Sequence, residues 1–149
     1  MKVLLDTSTL VAAFLTGHPE HEPAFAWLEA ILEGEHQGLV STHTLAELYA
    51  VLTRIPSHPA LTPDLALRLV EENLRTFTPI PLGPEDYWEA LRRLTALGLG
   101  GGVVYDALIA QAALKGRADL LLTLNPKDFL RLGEDIAAKV HTPRGKPPT

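Results

Sequence analysis

The stretch from Val103 to Phe129 constrains the fold more than any other. Its first half, Val103 to about Lys115, is apolar almost all the way round a helix, with one acid, Asp106, in the first turn. A helix without a polar face has to be buried. The second half is a short apolar run, Asp119 to Leu122, followed by a polar turn, Thr123 to Asp128. A short apolar run beside a buried helix is the pattern of a strand covered on both faces, as in a parallel α/β sheet. A carboxylate at the start of such a helix is costly to bury without a partner. The rest of the chain has to supply one.

Two further apolar runs, Lys2 to Leu5 and Gly38 to Ser41, read as buried strands. A third, Phe77 to Leu82, carries Pro79 and Pro81 and belongs at an edge. Helical patterns separate these strands. A short helix over Leu10 to Leu15 follows Asp6-Thr7-Ser8-Thr9, a run rich in capping side chains. Phe25, Leu28 and Leu32 predict a helix from about Glu22 to Glu33. Further helices are predicted over Thr44 to Arg54, Pro63 to Arg75 and Pro84 to Leu97, with a short one after Asn125-Pro126. A proline-rich connection spans Pro56 to Pro63. Strands alternating with helices predict an α/β fold: a three-layer α/β/α sandwich on a central parallel sheet of four to five short strands. With 149 residues, one core suffices. The expected organisation is a single domain over 1–141 and a flexible tail over 142–149, where prolines, a glycine and basic residues cluster.

The absence of cysteine excludes disulfides and thiolate metal sites. The amino terminus meets Asp6 too early for a signal peptide. No apolar run approaches the roughly 18 residues of a membrane span. The expectation is a cytoplasmic protein with no membrane partner. A net charge of −5 weighs against non-specific nucleic-acid binding, which favours basic surfaces.

The polar residues that follow the strands are the candidate site. Asp6 ends the first strand, Glu47 comes soon after the second, and Asn125 and Asp128 follow the fourth. In an open α/β sheet, ligands gather outside the carboxyl ends of the strands. Asp106 joins this group if its helix starts on that side. Each residue also has a purely structural role open to it. Asp6 suits a helix cap, and Thr44-x-x-Glu47 matches a capping box. Asp106 suits the positive end of its helix, and Asn125-Pro126 an N-cap with proline at the first position. As a set, however, the acids would repel one another without a cation, and carboxylate, amide and water oxygens suit Mg²⁺ or Mn²⁺.

Other features carry less. His18-x-x-His21 is a weak metal pair on a loop beside Pro19. Gly100 to Gly102 lack the lysine and spacing of a phosphate-binding loop and read as a hinge or close-approach segment. Ser8 and Ser41 have no base at a telling spacing. Trp27 and Trp88 lie on amphipathic helices and suit a core or an interface. A phosphatase built on Asp6 would require a second aspartate two residues on, where Ser8 stands.

The chain resembles the PIN domains, and among them the VapC-type ribonuclease toxins of toxin–antitoxin pairs. The matching pieces are Val3-Leu4-Leu5-Asp6-Thr7-Ser8, Ser41 with Glu47 in Ser-Thr-His-Thr-Leu-Ala-Glu-Leu, Tyr105-Asp106-Ala107-Leu108-Ile109-Ala110, and Leu122-Thr123-Leu124-Asn125-Pro126-Lys127-Asp128-Phe129. They occur in the family's order over nearly the whole chain. The resemblance implies an α/β/α sandwich and Mg²⁺- or Mn²⁺-dependent hydrolysis of RNA phosphodiester bonds. It assigns Asp6, Glu47 and Asp106 to the three core acids that hold metal. Asn125 stands where the family has a fourth acid, with Asp128 as a substitute carboxylate. Thr7 and Thr123 match hydroxyls beside the acids. A structured RNA such as tRNA or rRNA is the implied substrate, with Arg54, Arg68, Arg75, Arg92, Arg93 and Lys127 as a basic rim. A homodimer and a cognate antitoxin, whose tail occupies the active site, are the implied partners. The amphipathic helices near Glu22 to Leu32 and Pro63 to Leu74 either offer the antitoxin's groove or only cover the sheet. A housekeeping RNA-processing nuclease, or a PIN-like binding module weakened in catalysis by Asn125, are the alternatives.

Overall fold

The computed structural model describes residues 1–56 and 61–144. Part of the connection predicted over Pro56 to Pro63, and residues 145–149 of the predicted tail, lie outside the described residues. Five strands form one sheet: β1 (Lys2–Leu5), β2 (Gln37–Ser41), β3 (Thr78–Ile80), β4 (Leu120–Leu122) and β5 (Val140–His141). Their spatial order is β3-β2-β1-β4-β5, and every pairing is parallel. The proline-bearing strand is at an edge, as its sequence requires. The two-residue β5 supplies the other edge, and no apolar run announces it.

The helices are α1 (Thr7–Phe14), α2 (His21–Leu32), α3 (Thr42–Arg54), α4 (Pro63–Asn73), α5 (Pro84–Leu97), α6 (Val103–Lys115), α7 (Pro126–Leu130) and α8 (Glu134–Ala137). Successive strand residues point to opposite faces, and the core divides accordingly. Val3, Leu5, Val40 and Leu122 pack with Leu10, Leu28 and Leu48 of α1, α2 and α3 on one side. Leu4, Leu39 and Leu121 pack with Leu94, Leu108, Ile109 and Phe129 of α5, α6 and α7 on the other. Helices thus cover both faces of the sheet, which makes the sandwich.

Local chemistry explains where the elements begin. α1 starts at Thr7, three residues before the predicted Leu10, because the Asp6 carboxylate accepts the Thr9 amide and caps the helix there. α6 is buried along most of its length, and its one polar core residue, Gln111, donates to Glu89 Oε2 at 2.7 Å. The glycines before α6 are exposed, and a Cβ on any of them would meet nothing within 4 Å. They form a turn, with Gly101 at φ +77°, and not the predicted close-approach segment. Close approach occurs instead at Gly38, where a Cβ would come within 2.7 Å of Ile31 and 2.8 Å of Phe77. Past β5, Pro143 is buried and Arg144 reaches Glu20 Oε1 at 3.0 Å.

This strand order creates a switch point. From β1 the chain leaves through α1 and α2 towards β2, and from β4 it leaves through α7 and α8 towards β5, on the other side of the sheet. Between the carboxyl ends of β1 and β4 a crevice opens, the place where open α/β sheets bind ligands. α6 leads into β4 and runs antiparallel to it, so its first turn begins at this same end.

Candidate active site

Asp6 emerges from β1 straight into the crevice and is 4% exposed. Its Oδ1 accepts from the Ser8 hydroxyl at 2.8 Å and the Thr9 amide at 2.9 Å. Burial pushes its carboxyl above the usual carboxylate range, and hydrogen bonds from Thr123, Thr9 and Ser8 offset part of that rise. Ser8, which sequence reasoning set aside as a nucleophile without a base, has a different place. It donates to Asp6 and accepts the Leu124 amide at 3.1 Å, tying the β4 end to α1.

Glu47 sits in the second turn of α3. The N-cap of that helix is Ser41, whose hydroxyl accepts the His43 amide. The capping box over Thr44-x-x-Glu47 is therefore not formed. Glu47 Oε1 instead accepts from the Thr7 hydroxyl at 2.9 Å, and Thr7 Oγ1 also lies 3.2 Å from Thr44 Oγ1. Thr7 carries α1 and Glu47 carries α3, so this bond turns the glutamate back towards the end of β1.

Asp106 is half-buried in the first turn of α6. Its pKa is pushed up to about 6, first by burial and then by the negative charges of Asp128, Asp6 and Glu47, with Arg131 pulling the other way. The partner that the sequence required is thus not a base. Asp106 faces other acids. Asp128, in α7, lies 3.8 Å from Arg131, and both side chains are half-exposed. Arg131 is the nearby cation that sequence reasoning missed. Its position three residues after Asp128 on a helix was the available signal.

Asn125 precedes α7 but makes no side-chain cap, and it is exposed. Thr123 is fully buried, and its hydroxyl accepts the Asn125 amide at 2.9 Å. The two histidines of the loop after α1 do not act as a pair: His18 Nδ1 accepts the Glu20 amide, whereas His21 bonds to the Ala12 carbonyl and stacks on Phe25. Of the basic residues expected to rim the site, Arg93 is committed elsewhere, to Asp135 in a two-point bond and to the Leu132 carbonyl.

Asp6, Thr7, Glu47, Asp106 and Asn125 line one cleft of ≈ 580 Å³, with Ser8 at its floor. Thr123 and Asp128 do not line it; Thr123 bonds to the Asp6 carboxylate, and Asp128 lies within electrostatic reach of Asp106. The donor set is all oxygen and strongly negative, which fits a hard divalent cation. Among the described residues no three acidic or histidine side chains stand close enough to enclose an ion by themselves. An ion here would be held partly through water, as Mg²⁺ commonly is. No helix among the described residues is long and apolar enough to cross a membrane.

Comparison with known proteins identifies the family. The family model for the PIN domain matches residues 3–135. Ribonuclease VapC27 of Mycobacterium tuberculosis is 35% identical over 116 residues, covering 78% of this chain and 80% of that protein. The crystal structure of VapBC2 from Rickettsia felis, bound to a DNA fragment from its promoter, superposes with a TM-score of 0.70 at 23% identity. That match covers 95% of this chain and 98% of the other. VapC20 of M. tuberculosis, described as a sarcin-ricin loop cleaving toxin, superposes at 0.61 with 18% identity, covering 80% and 86%. The two superpositions bear on the fold alone.

Proposed function

Because the chain belongs to the PIN-domain family, we propose that it is a metal-dependent endoribonuclease and the toxin of a toxin–antitoxin pair. The observation that carries this reading is Asp106 at the switch point of the sheet, whose carboxyl is raised first by burial and then by the charges of Asp128, Asp6 and Glu47. Asp6 also caps α1, but acids on α6, α7, α3 and the end of β1 held within electrostatic reach of one another repel, and a cation relieves that repulsion.

Asp6, Glu47 and Asp106 are the residues to hold one Mg²⁺ or Mn²⁺, with Asn125 and Asp128 adjacent. When bound, such an ion acidifies water and offsets the charge of phosphate oxygens. The chain's own residues do the positioning. Thr7 holds the Glu47 carboxylate in place, and Ser8 and the Thr9 amide orient Asp6. Thr123 supports the backbone of Asn125 from below. In the net reaction water adds to phosphorus in line and the ribose 3′-oxygen leaves, giving a 5′-phosphate and a 3′-hydroxyl. The partners are an RNA substrate, a second copy of the chain and an antitoxin. The antitoxin is supported by the toxin–antitoxin complexes among its structural relatives.

The test is cleavage of a panel of tRNAs and rRNA fragments with Mg²⁺, Mn²⁺ or EDTA, comparing wild type with Asp106→Asn. Metal-dependent cuts that vanish in the variant are the expected result. A second reading, a binding module without catalysis, draws on Asn125 standing uncharged in the cleft. It predicts a folded protein that neither binds metal nor cuts RNA.

A further inference from the structure

An aromatic pair stands next to the acid cleft and is not explained by the acids. Tyr105 immediately precedes Asp106 on α6 and is 53% exposed. One face of its ring lies against the imidazole of His43, with centroids 5.4 Å apart and planes only 5° from parallel. His43 is in the first turn of α3, and its Nε2 lies 3.5 Å from Glu47 Oε1. That nitrogen is buried and makes no hydrogen bond. The two rings therefore belong to the same two helices that carry Asp106 and Glu47: His43 borders Glu47, and Tyr105 directly precedes Asp106 in the chain.

A tyrosine this exposed normally moves between rotamers. Here the parallel stack holds it, so a flat aromatic surface is presented at a set angle beside the cleft. His43 backs one face, and about half of the residue stays exposed to solvent. A planar, apolar group is the natural occupant of such a face. Beside acids that act on a phosphodiester, that group is a nucleobase, since single-stranded RNA is bound by stacking its splayed bases on aromatic side chains.

We propose that Tyr105, backed by His43, is a stacking step that seats the base of a nucleotide flanking the scissile phosphate. The inference rests on reading the cleft as a ribonuclease site. It adds a selection rule. A base within a duplex has both faces covered by its neighbours, so the step admits unpaired RNA and rejects paired RNA. Every base has a π face, so the step by itself does not choose a sequence.

Binding tests this separately from catalysis. The probe is a fluorescein-labelled oligouridylate, titrated with Asp106→Asn protein in Mg²⁺ and followed by anisotropy, with folding checked by circular dichroism. Adding Tyr105→Leu, which keeps bulk but removes the π face, is expected to weaken binding by about 5- to 150-fold, the range for one stacked base. Tyr105→Phe is expected to restore most of the affinity. An oligouridylate with one abasic residue at the seated position is expected to bind both proteins alike. Equal losses with Leu and Phe, a Leu loss that persists in full wherever the abasic residue is moved, or no loss at all would each overturn the proposal. Failure of the nuclease reading shows differently, as wild-type protein that makes no metal-dependent cut in any RNA of the panel.

Discussion

The Thr7 hydroxyl donates to Glu47 Oε1 across 2.9 Å and so joins the first turn of α1 to the second turn of α3. Thr7 follows Asp6 directly, so one residue of the strand–helix junction contributes an acid and the next positions a second acid delivered by another helix. Groups that orient metal-binding carboxylates typically matter about 10- to 100-fold in metal affinity or activity. Thr7→Val keeps the shape and removes the donor. The expected result is a loss in that range, concentrated at low metal concentration and reversed by Thr7→Ser, with a stability loss of about 1 kcal/mol. Initial rates over a Mg²⁺ titration check it.

Asp106 gives the apo protein a pH dependence of definite sign. Its pKa is about 6 in the folded chain against 3.8 for an unperturbed aspartate, so the folded state holds this proton more tightly than the unfolded one. Raising the pH from about 4 to about 6 removes the proton against that preference and lowers stability. Above about 6 this group adds no further slope. Urea denaturation in EDTA across this window should show the decline, and Asp106→Asn should reduce it, leaving the share of Asp6, whose carboxyl burial also raises. Metal binding needs the ionised form, so affinity for Mn²⁺ should climb with pH up to about 6 and then level off.

A cation that relieves the mutual repulsion of Asp6, Glu47 and Asp106 should stabilise the fold. A ligand at one hundred times its Kd contributes about 2.7 kcal/mol. Thermal unfolding in Mg²⁺ or Mn²⁺ should therefore shift upward relative to EDTA, and the shift should disappear in Asp106→Asn. Asn125→Asp restores a carboxylate at an exposed position in the cleft. It should lower the Mn²⁺ concentration needed for half of the thermal shift, while reducing stability in EDTA through added repulsion.

Gly38 is where β2 packs most tightly. A methyl group there would press on Ile31 and Phe77 at 2.7 and 2.8 Å, well inside contact distance. Both neighbours are buried and cannot swing out. Gly38→Ala should cost about 1–3 kcal/mol by overpacking. Chemical denaturation measures the loss, and catalytic parameters of the protein that remains folded should be unchanged.

Strand runs such as Val3-Leu4-Leu5 were legible because a chain buried on both faces leaves no polar alternation to confuse it. The edge position of β3 was legible because Pro79 cannot donate to a neighbour. β5 was not, since two residues, one of them His141, carry no pattern. Sequence placed Asp6, Glu47 and the Asn125/Asp128 turn at the site end, and Asp106 only on the condition that its helix begins there, but the capping box over Glu47 was a local reading that a long-range bond from Thr7 overrode. Ser8 was weighed as a nucleophile. Its bridging between Asp6 and the Leu124 amide depends on β1 and β4 being neighbours, a relation no short window contains. The same holds for Arg131, whose bearing on Asp106 comes through space.

The pairing of Val3 with Leu120 has a consequence for when this protein becomes active. Synthesis proceeds from the amino end, and domains fold largely as their segments emerge. Asp6 and Glu47 leave the ribosome early, with nothing yet to face. The crevice has only one wall until β4 has been made and laid beside β1, and Ser8 has no Leu124 amide to receive until then. A nascent or truncated chain ending before β4 carries three of the acids and no working centre. A site built on these acids is thus assembled only when nearly the whole length of the chain has been made.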